Sequence, residues 1–161
     1  MNDAKCPFYL VRHLTCSPCE KSLSGGFDDK NNQIVICQNN CKTYKKVEEV
    51  LSHELVHMYD YCTAKIDFEN VKHLACSEIR AAALTSCSRH SFDYKSYQSC
   101  VKIKASDSVA LMKNLPKKEA LEAVENVFYK CFNDTEPLGR CYPESVMKSH
   151  YESVKMHNKR S

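Results

Sequence analysis

His53-Glu54-Leu55-Val56-His57 puts two imidazoles and a carboxylate into five consecutive residues. Four apart on an α-helix, the histidines project from adjacent turns of one face, where both can bind a single zinc ion at about 2.0–2.1 Å. Glu54 leaves the helix about 100° further round. That offset keeps its carboxylate off the metal but close to a water in an open coordination position, which it can deprotonate as a general base. Zinc lowers the pKa of such a water toward ~7 and polarises a carbonyl, so the expected chemistry is attack on a peptide bond without a covalent intermediate.

A catalytic zinc usually has three protein ligands, so one must come from outside the pentapeptide. Glu78 is the first candidate. It lies amid Val71, Leu74, Ala75, Ala81, Ala82 and Thr85, a stripe of small and apolar residues that lets one helix approach another, and a carboxylate there needs a partner. His73 is a better ligand by type but lies about 140° around the helix from Glu78. Asp60 shares the histidines' face and leans toward the helix N-terminus, within reach of the metal or of an imidazole N–H; the second role is preferred. Tyr94, His90 and Arg80 are candidates for stabilising an oxyanion. The long histidine pattern with a glycine after the second histidine is absent, because Met58-Tyr59-Asp60 follows.

These residues need rigid elements behind them. From about Lys46 to Cys62 the pattern is helical, with Val47, Leu51, Leu55, Met58 and Cys62 on a core face and Lys46, Val50, His53, His57 and Asp60 opposite. A second helix is expected over residues 70–87 with Asn70 as N-cap, a short one over 105–113, and another over 117–132 carrying Ala120, Leu121, Val124, Phe128, Cys131 and Phe132 on one stripe. Gln33 to Cys37 is β-branched and bounded by turn residues, the place for an edge strand that pairs with substrate. Residues 6–24 and 88–100 read as loops, and the tail beyond Pro143 as a polar surface helix.

The 161 residues fit one domain, and their balance of 43% hydrophobic and 27% charged residues is globular. No apolar run approaches the ~20 residues of a membrane-spanning helix. With net charge +3 and dispersed lysines, no nucleic-acid contact is predicted, while weak attraction to anionic lipid is compatible. Eleven cysteines need an explanation. Cys16, Cys19, Cys37 and Cys41 approximate a zinc-ribbon spacing, but Cys62, Cys76, Cys87, Cys100, Cys131 and Cys141 lie singly near helix ends, as staples between helices would. Up to five disulfides in an oxidising compartment are favoured over a second zinc. Met1 to Leu14 has neither the apolar core of a secretory signal nor the composition of a transit peptide. Oxidation without either signal points to the mitochondrial intermembrane space.

The segments Ser24-Gly-Gly-Phe-Asp28, Gln33-Ile-Val-Ile-Cys-Gln-Asn-Asn40, His53-Glu-Leu-Val-His-Met-Tyr-Asp60 and His73-Leu-Ala-Cys-Ser-Glu-Ile-Arg-Ala-Ala82 resemble the mitochondrial inner-membrane metalloproteases that process and help assemble ATP synthase. Cys131-Phe-Asn-Asp-Thr-Glu-Pro137 also looks like theirs. The resemblance implies an α+β, zincin-like single domain over 1–161, mainly helical with a small sheet carrying a substrate-binding edge strand, and stapled by disulfides. Within it, 1–23 would be a Cys-rich N-terminal segment and 143–161 a polar, weakly basic tail. It further implies a zinc (Zn2+) endopeptidase held peripherally on the intermembrane-space side of the inner membrane. Such an enzyme trims the N-terminus of an ATP synthase membrane subunit precursor, and an assembly role need not use proteolysis. By position, His53 and His57 correspond to metal ligands and Glu54 to the catalytic residue; Glu78 matches a family position, and its ligand role is inferred from its stripe. Cys141 would be the unpaired cysteine. Similar animal proteins bind a Ku DNA-repair subunit, a partner to which this composition lends no support. A second reading is a non-proteolytic assembly chaperone or adaptor with a structural or vestigial metal site; the intact Glu54 favours the peptidase, since structural zinc needs no base.

Overall fold

A computed structural model describes residues 6–88 and 93–139. His90, Cys141 and the tail 143–161 lie outside these residues. In chain order the elements are α1 (Leu10–His13), β1 (Leu14–Ser17), β2 (Gly25–Asp28), β3 (Gln33–Cys37), α2 (Tyr44–Thr63), α3 (Val71–Ala81), a π-helical turn (Ala82–Ser86), α4 (Tyr94–Lys113) and α5 (Lys117–Phe132). The fold is mainly helical with one small sheet, as expected.

The three strands run in the order β1-β3-β2. β3 is therefore the middle strand, and the expectation that Gln33 to Cys37 forms the edge is corrected. Ile34 and Ile36 are buried with the half-buried Val35 between them, so one face of the strand packs into the core while strands pair on both of its edges. β1 joins it in parallel, Leu14 opposite Ile34, and β2 antiparallel, Phe27 opposite Ile34. The segment 6–24, read as loop, thus contains α1 and β1. Each has four residues, too few for a periodic signal, and β1 draws its ladder partners from β3.

α2 begins at Thr43, whose hydroxyl accepts from the Lys46 N–H at 3.2 Å. It divides the interior. Val50 and Met58 close one core with Ile34 and Ile36 of the sheet, while Val56 joins a second core built by α3, α4 and α5. The histidine face lies between these two buried faces.

α3 is capped by Asn70, which accepts from the Lys72 N–H at 3.0 Å. The helix expected to continue to residue 87 widens at Ala82 into the π turn, where the Ala83 carbonyl accepts from the buried Tyr97 hydroxyl at 2.7 Å. α4 corrects two expectations, a loop over 88–100 and a short helix after it. It starts at Asp93, whose carboxylate accepts from the Ser96 N–H, and carries Tyr97, Val101, Ala105 and Val109, every fourth residue, fully buried. That stripe is visible in the sequence once Asp93 is taken as the cap.

Four disulfides occur among the described residues: Cys6–Cys62, Cys19–Cys37, Cys76–Cys131 and Cys87–Cys100. They tie the N-terminal segment to the end of α2, the 18–24 loop to β3, α3 to α5, and the end of the π turn to α4. Cys19 paired with Cys37 removes the zinc-ribbon alternative. Cys16 is exposed and free, and the buried, free Cys41 sits 3.1 Å from the Ser24 carbonyl oxygen.

Gly25 sets how closely α2 lies on the sheet, because a β-carbon there would run into the Val50 side chain and sit 2.8 Å from the Val35 carbonyl oxygen. Gly25→Ala is expected to lower unfolding free energy by about 1–3 kcal/mol, measured by urea denaturation. An unchanged midpoint would show that α2 has room to shift.

Candidate metal centre

α2 supplies His53 and His57 and α3 supplies Glu78; one ligand atom from each lies within 4.8 Å of the others. His53 Nε2 is 3.4 Å from Glu78 Oε2, and His57 Nε2 is 3.5 Å from Glu78 Oε1. The imidazoles stand 4.8 Å apart, nearly perpendicular. Ser77, fully buried on α3, contacts His57 and Asp60 of α2 directly. Glu78 is 3% exposed, whereas the His53 side chain is 25% exposed, so the group opens to solvent on the His53 side. His73, the alternative ligand, is exposed and accepts from the Asp67 N–H at 3.2 Å. It closes the loop ahead of α3.

The donor set fits a cation. Glu78 Oε2 is buried without a hydrogen-bond partner. Burial pushes Glu78 up, but His57, then His53 and Ser108 pull it below the ordinary glutamate range. His57 is driven down to about 4 by burial, so its imidazole is neutral at pH 7. His53 is also pushed down by burial, and the Glu78 carboxylate more than reverses this, leaving it raised. A neutral imidazole nitrogen facing carboxylate oxygens across 3.5 Å is an arrangement of acceptors that a shared metal ion satisfies.

Glu54 is buried on the side of α2 toward the sheet, where the Phe27 backbone of β2 hydrogen-bonds to it. Burial raises it to about 7; Glu78 adds to the rise and His53 opposes it. A carboxyl held there can take and return a proton near neutrality. Phe27, Tyr61 and Phe68 form an aromatic group beside it, with the Phe68 ring 6.1 Å from that of His57.

Behind the histidines runs a buried polar chain that the sequence did not single out as a unit. His57 Nδ1 is 2.7 Å from Ser77 Oγ, Ser77 donates to Asp60 Oδ2 at 2.8 Å, and Arg80 Nε and Nη2 donate to Asp60 Oδ1 at 3.0 and 2.9 Å. Asp60 therefore reaches the imidazole through Ser77, not directly. Burial raises its pKa, and the Arg80 guanidinium opposes the rise. Arg80 also pairs with Asp134 and donates to the carbonyls of Asp134 and Glu136, so it braces the segment after α5 and is not aimed at the site as an oxyanion donor. Tyr94, at the start of α4, packs on Phe132. Ser77 and Ser108 were missed. The signal for Ser77 was its position next to Glu78 on a helix facing the histidines; nothing in the sequence marks Ser108.

The Peptidase M76 family model matches residues 1–139. Among curated relatives, the "mitochondrial inner membrane protease ATP23 homolog" of Xenopus laevis is 43% identical over 149 residues, covering 87% of this chain and 63% of the relative. The human protein of that name is also 43% identical, with 87% and 61% covered. The Schizosaccharomyces pombe protein, "mitochondrial inner membrane protease atp23", is 36% identical over 142 residues, 82% of this chain and 76% of the relative. The chain thus spans about three fifths of the frog and human proteins' length. No solved structure matches it.

Removing Arg80 leaves the Asp60 carboxylate buried without its cation. Arg80→Met is expected to cost about 3–5 kcal/mol of unfolding free energy in urea, since one partner of a buried pair is then uncompensated. A loss under 1 kcal/mol would mean that water replaces the guanidinium.

Proposed function

As the chain belongs to the Peptidase M76 family, we propose that it is a zinc-dependent metalloendopeptidase, peripheral on the intermembrane-space side of the mitochondrial inner membrane, that processes the N-terminus of an ATP synthase membrane subunit and aids ATP synthase assembly. The observation that carries the peptidase reading is the convergence of His53, His57 and Glu78 with the buried carboxyl of Glu54 beside them. The location draws support from the relatives' names, from four disulfides, and from the fact that no helix among the described residues is long and apolar enough to cross a membrane. The ATP synthase substrate rests on the sequence resemblance. Its partners would be that subunit precursor and the inner-membrane surface, with no nucleic-acid contact.

His53, His57 and Glu78 would hold the zinc, which supplies Lewis acidity to the scissile carbonyl and lowers the pKa of the attacking water. Glu54 takes the proton from that water and returns it to the departing amine, a role suited to a carboxyl near neutrality. The substrate backbone pairs along the outer edge of β2, the strand next to α2, and not along β3. Phe27, Tyr61 and Phe68 offer apolar side chains a surface beside the histidines.

Glu54→Gln tests this reading. It keeps shape and zinc content but removes the base, so maturation of the precursor is expected to slow about 10²–10⁴-fold, followed by the ratio of precursor to mature subunit. Zinc removal from the wild type by a chelator should abolish cleavage, and added zinc should restore it. Maturation at the normal rate in the Glu54→Gln variant would leave the adaptor reading standing instead.

A further inference from the structure

Counting donors along the buried chain behind His57 fixes where its protons lie. The Asp60 carboxylate, held by both Arg80 nitrogens, only accepts. Ser77 has one hydroxyl proton and gives it to Asp60 at 2.8 Å. The 2.7 Å contact between Ser77 Oγ and His57 Nδ1 then has a single consistent direction: Nδ1–H donates and Ser77 accepts. For a neutral imidazole this leaves the lone pair on Nε2, the nitrogen that faces Glu78.

We propose that Ser77 and Asp60 are positioning residues that hold His57 in the Nδ1–H tautomer, with Nε2 as a pre-oriented metal donor, and that Arg80 sets the direction of the relay by keeping Asp60 an acceptor. The inference rests on reading His53, His57 and Glu78 as a metal centre. Ser77 is fully buried and Asp60 and Arg80 nearly so, which keeps water from competing for the two hydrogen bonds. Glu78, next to Ser77 in sequence, makes α3 carry both a ligand and the group that orients another ligand on α2. Arg80 also grips the Asp134 and Glu136 carbonyls, so the relay ends on the segment that follows α5.

Asp60→Asn reverses the relay at nearly constant shape. The asparagine can keep its carbonyl toward Arg80 and donate its amide to Ser77 Oγ, which frees the Ser77 hydroxyl to donate to Nδ1. His57 must then carry its proton on Nε2, where Glu78 accepts it and the metal cannot bind without displacing it. Ser77→Ala removes the acceptor for Nδ1–H and permits the same Nε2–H form.

The experiment is long-range ¹H–¹⁵N correlation of the histidine rings in metal-free protein, paired with zinc affinity from competition against a chromophoric chelator. The wild type is expected to show His57 as Nδ1–H, and Asp60→Asn as Nε2–H. Both variants should bind zinc about 10–100-fold more weakly. A wild-type His57 protonated on Nε2 overturns the proposal without any variant having to fold. So does either variant that keeps Nδ1–H together with wild-type zinc affinity. A wild type that binds no zinc would refute the metal-centre reading, whereas the tautomer would still report on the relay.

Discussion

Two imidazoles and a carboxylate from two helices are held in contact, open to solvent only on the His53 side, and most of the molecule follows from making that tolerable. A carboxylate 3% exposed, with one oxygen lacking a hydrogen-bond partner, is costly unless positive charge stands against it. The helices that carry it and the histidines must therefore be placed closely and rigidly. α3 meets α2 through Ser77, Glu78 and Arg80, whose polar groups contact His53, His57 and Asp60. Arg80 serves the same end, pairing with Asp60 so that the carboxylate on the next turn of the histidine helix is not left alone.

Burial then divides the ionisable groups into roles. His57 is pushed low enough to be a neutral donor, Glu54 is raised to about 7, and Glu78 is held low by the two histidines. Two glutamates near the same pair of imidazoles thus shift in opposite directions: at Glu78 the two rings outweigh burial, whereas at Glu54 burial outweighs both His53 and the Phe27 backbone N–H. β2 is consequently more than a packing element: its Phe27 backbone contacts the candidate base, and it is an outer strand of the sheet among the described residues.

The scaffold is two small cores on either side of α2, one with the sheet and one with three helices. Neither is large, and the four disulfides cross-link elements distant in sequence, with separations of up to 56 residues. Each such link restricts the unfolded chain more than it alters the folded one. Cys6–Cys62 and Cys76–Cys131 act where it matters for the site, anchoring the far end of α2 and joining α3 to α5.

The sequence by itself determined the chemistry-bearing residues and the long helices. His53, Glu54 and His57 are related by helical spacing alone, and α5 was legible to its ends because its apolar stripe repeats every three to four residues. Glu78 could be nominated from the small residues around it, since a carboxylate in such a stripe has few reasons to be there. Only the tertiary structure decided what depends on contact between elements. The order of the strands put β3 in the middle, because four-residue β1 exists only through its pairing. The start of α4 was hidden by polar and tyrosine residues whose buried stripe becomes evident only when α3 and α5 cover it. Arg80 was moved from the site to a brace, and Asp60 reached His57 only through Ser77. Hydrogen-bond partners and burial are properties of pairs of residues far apart in the chain, and local periodicity carries no record of them.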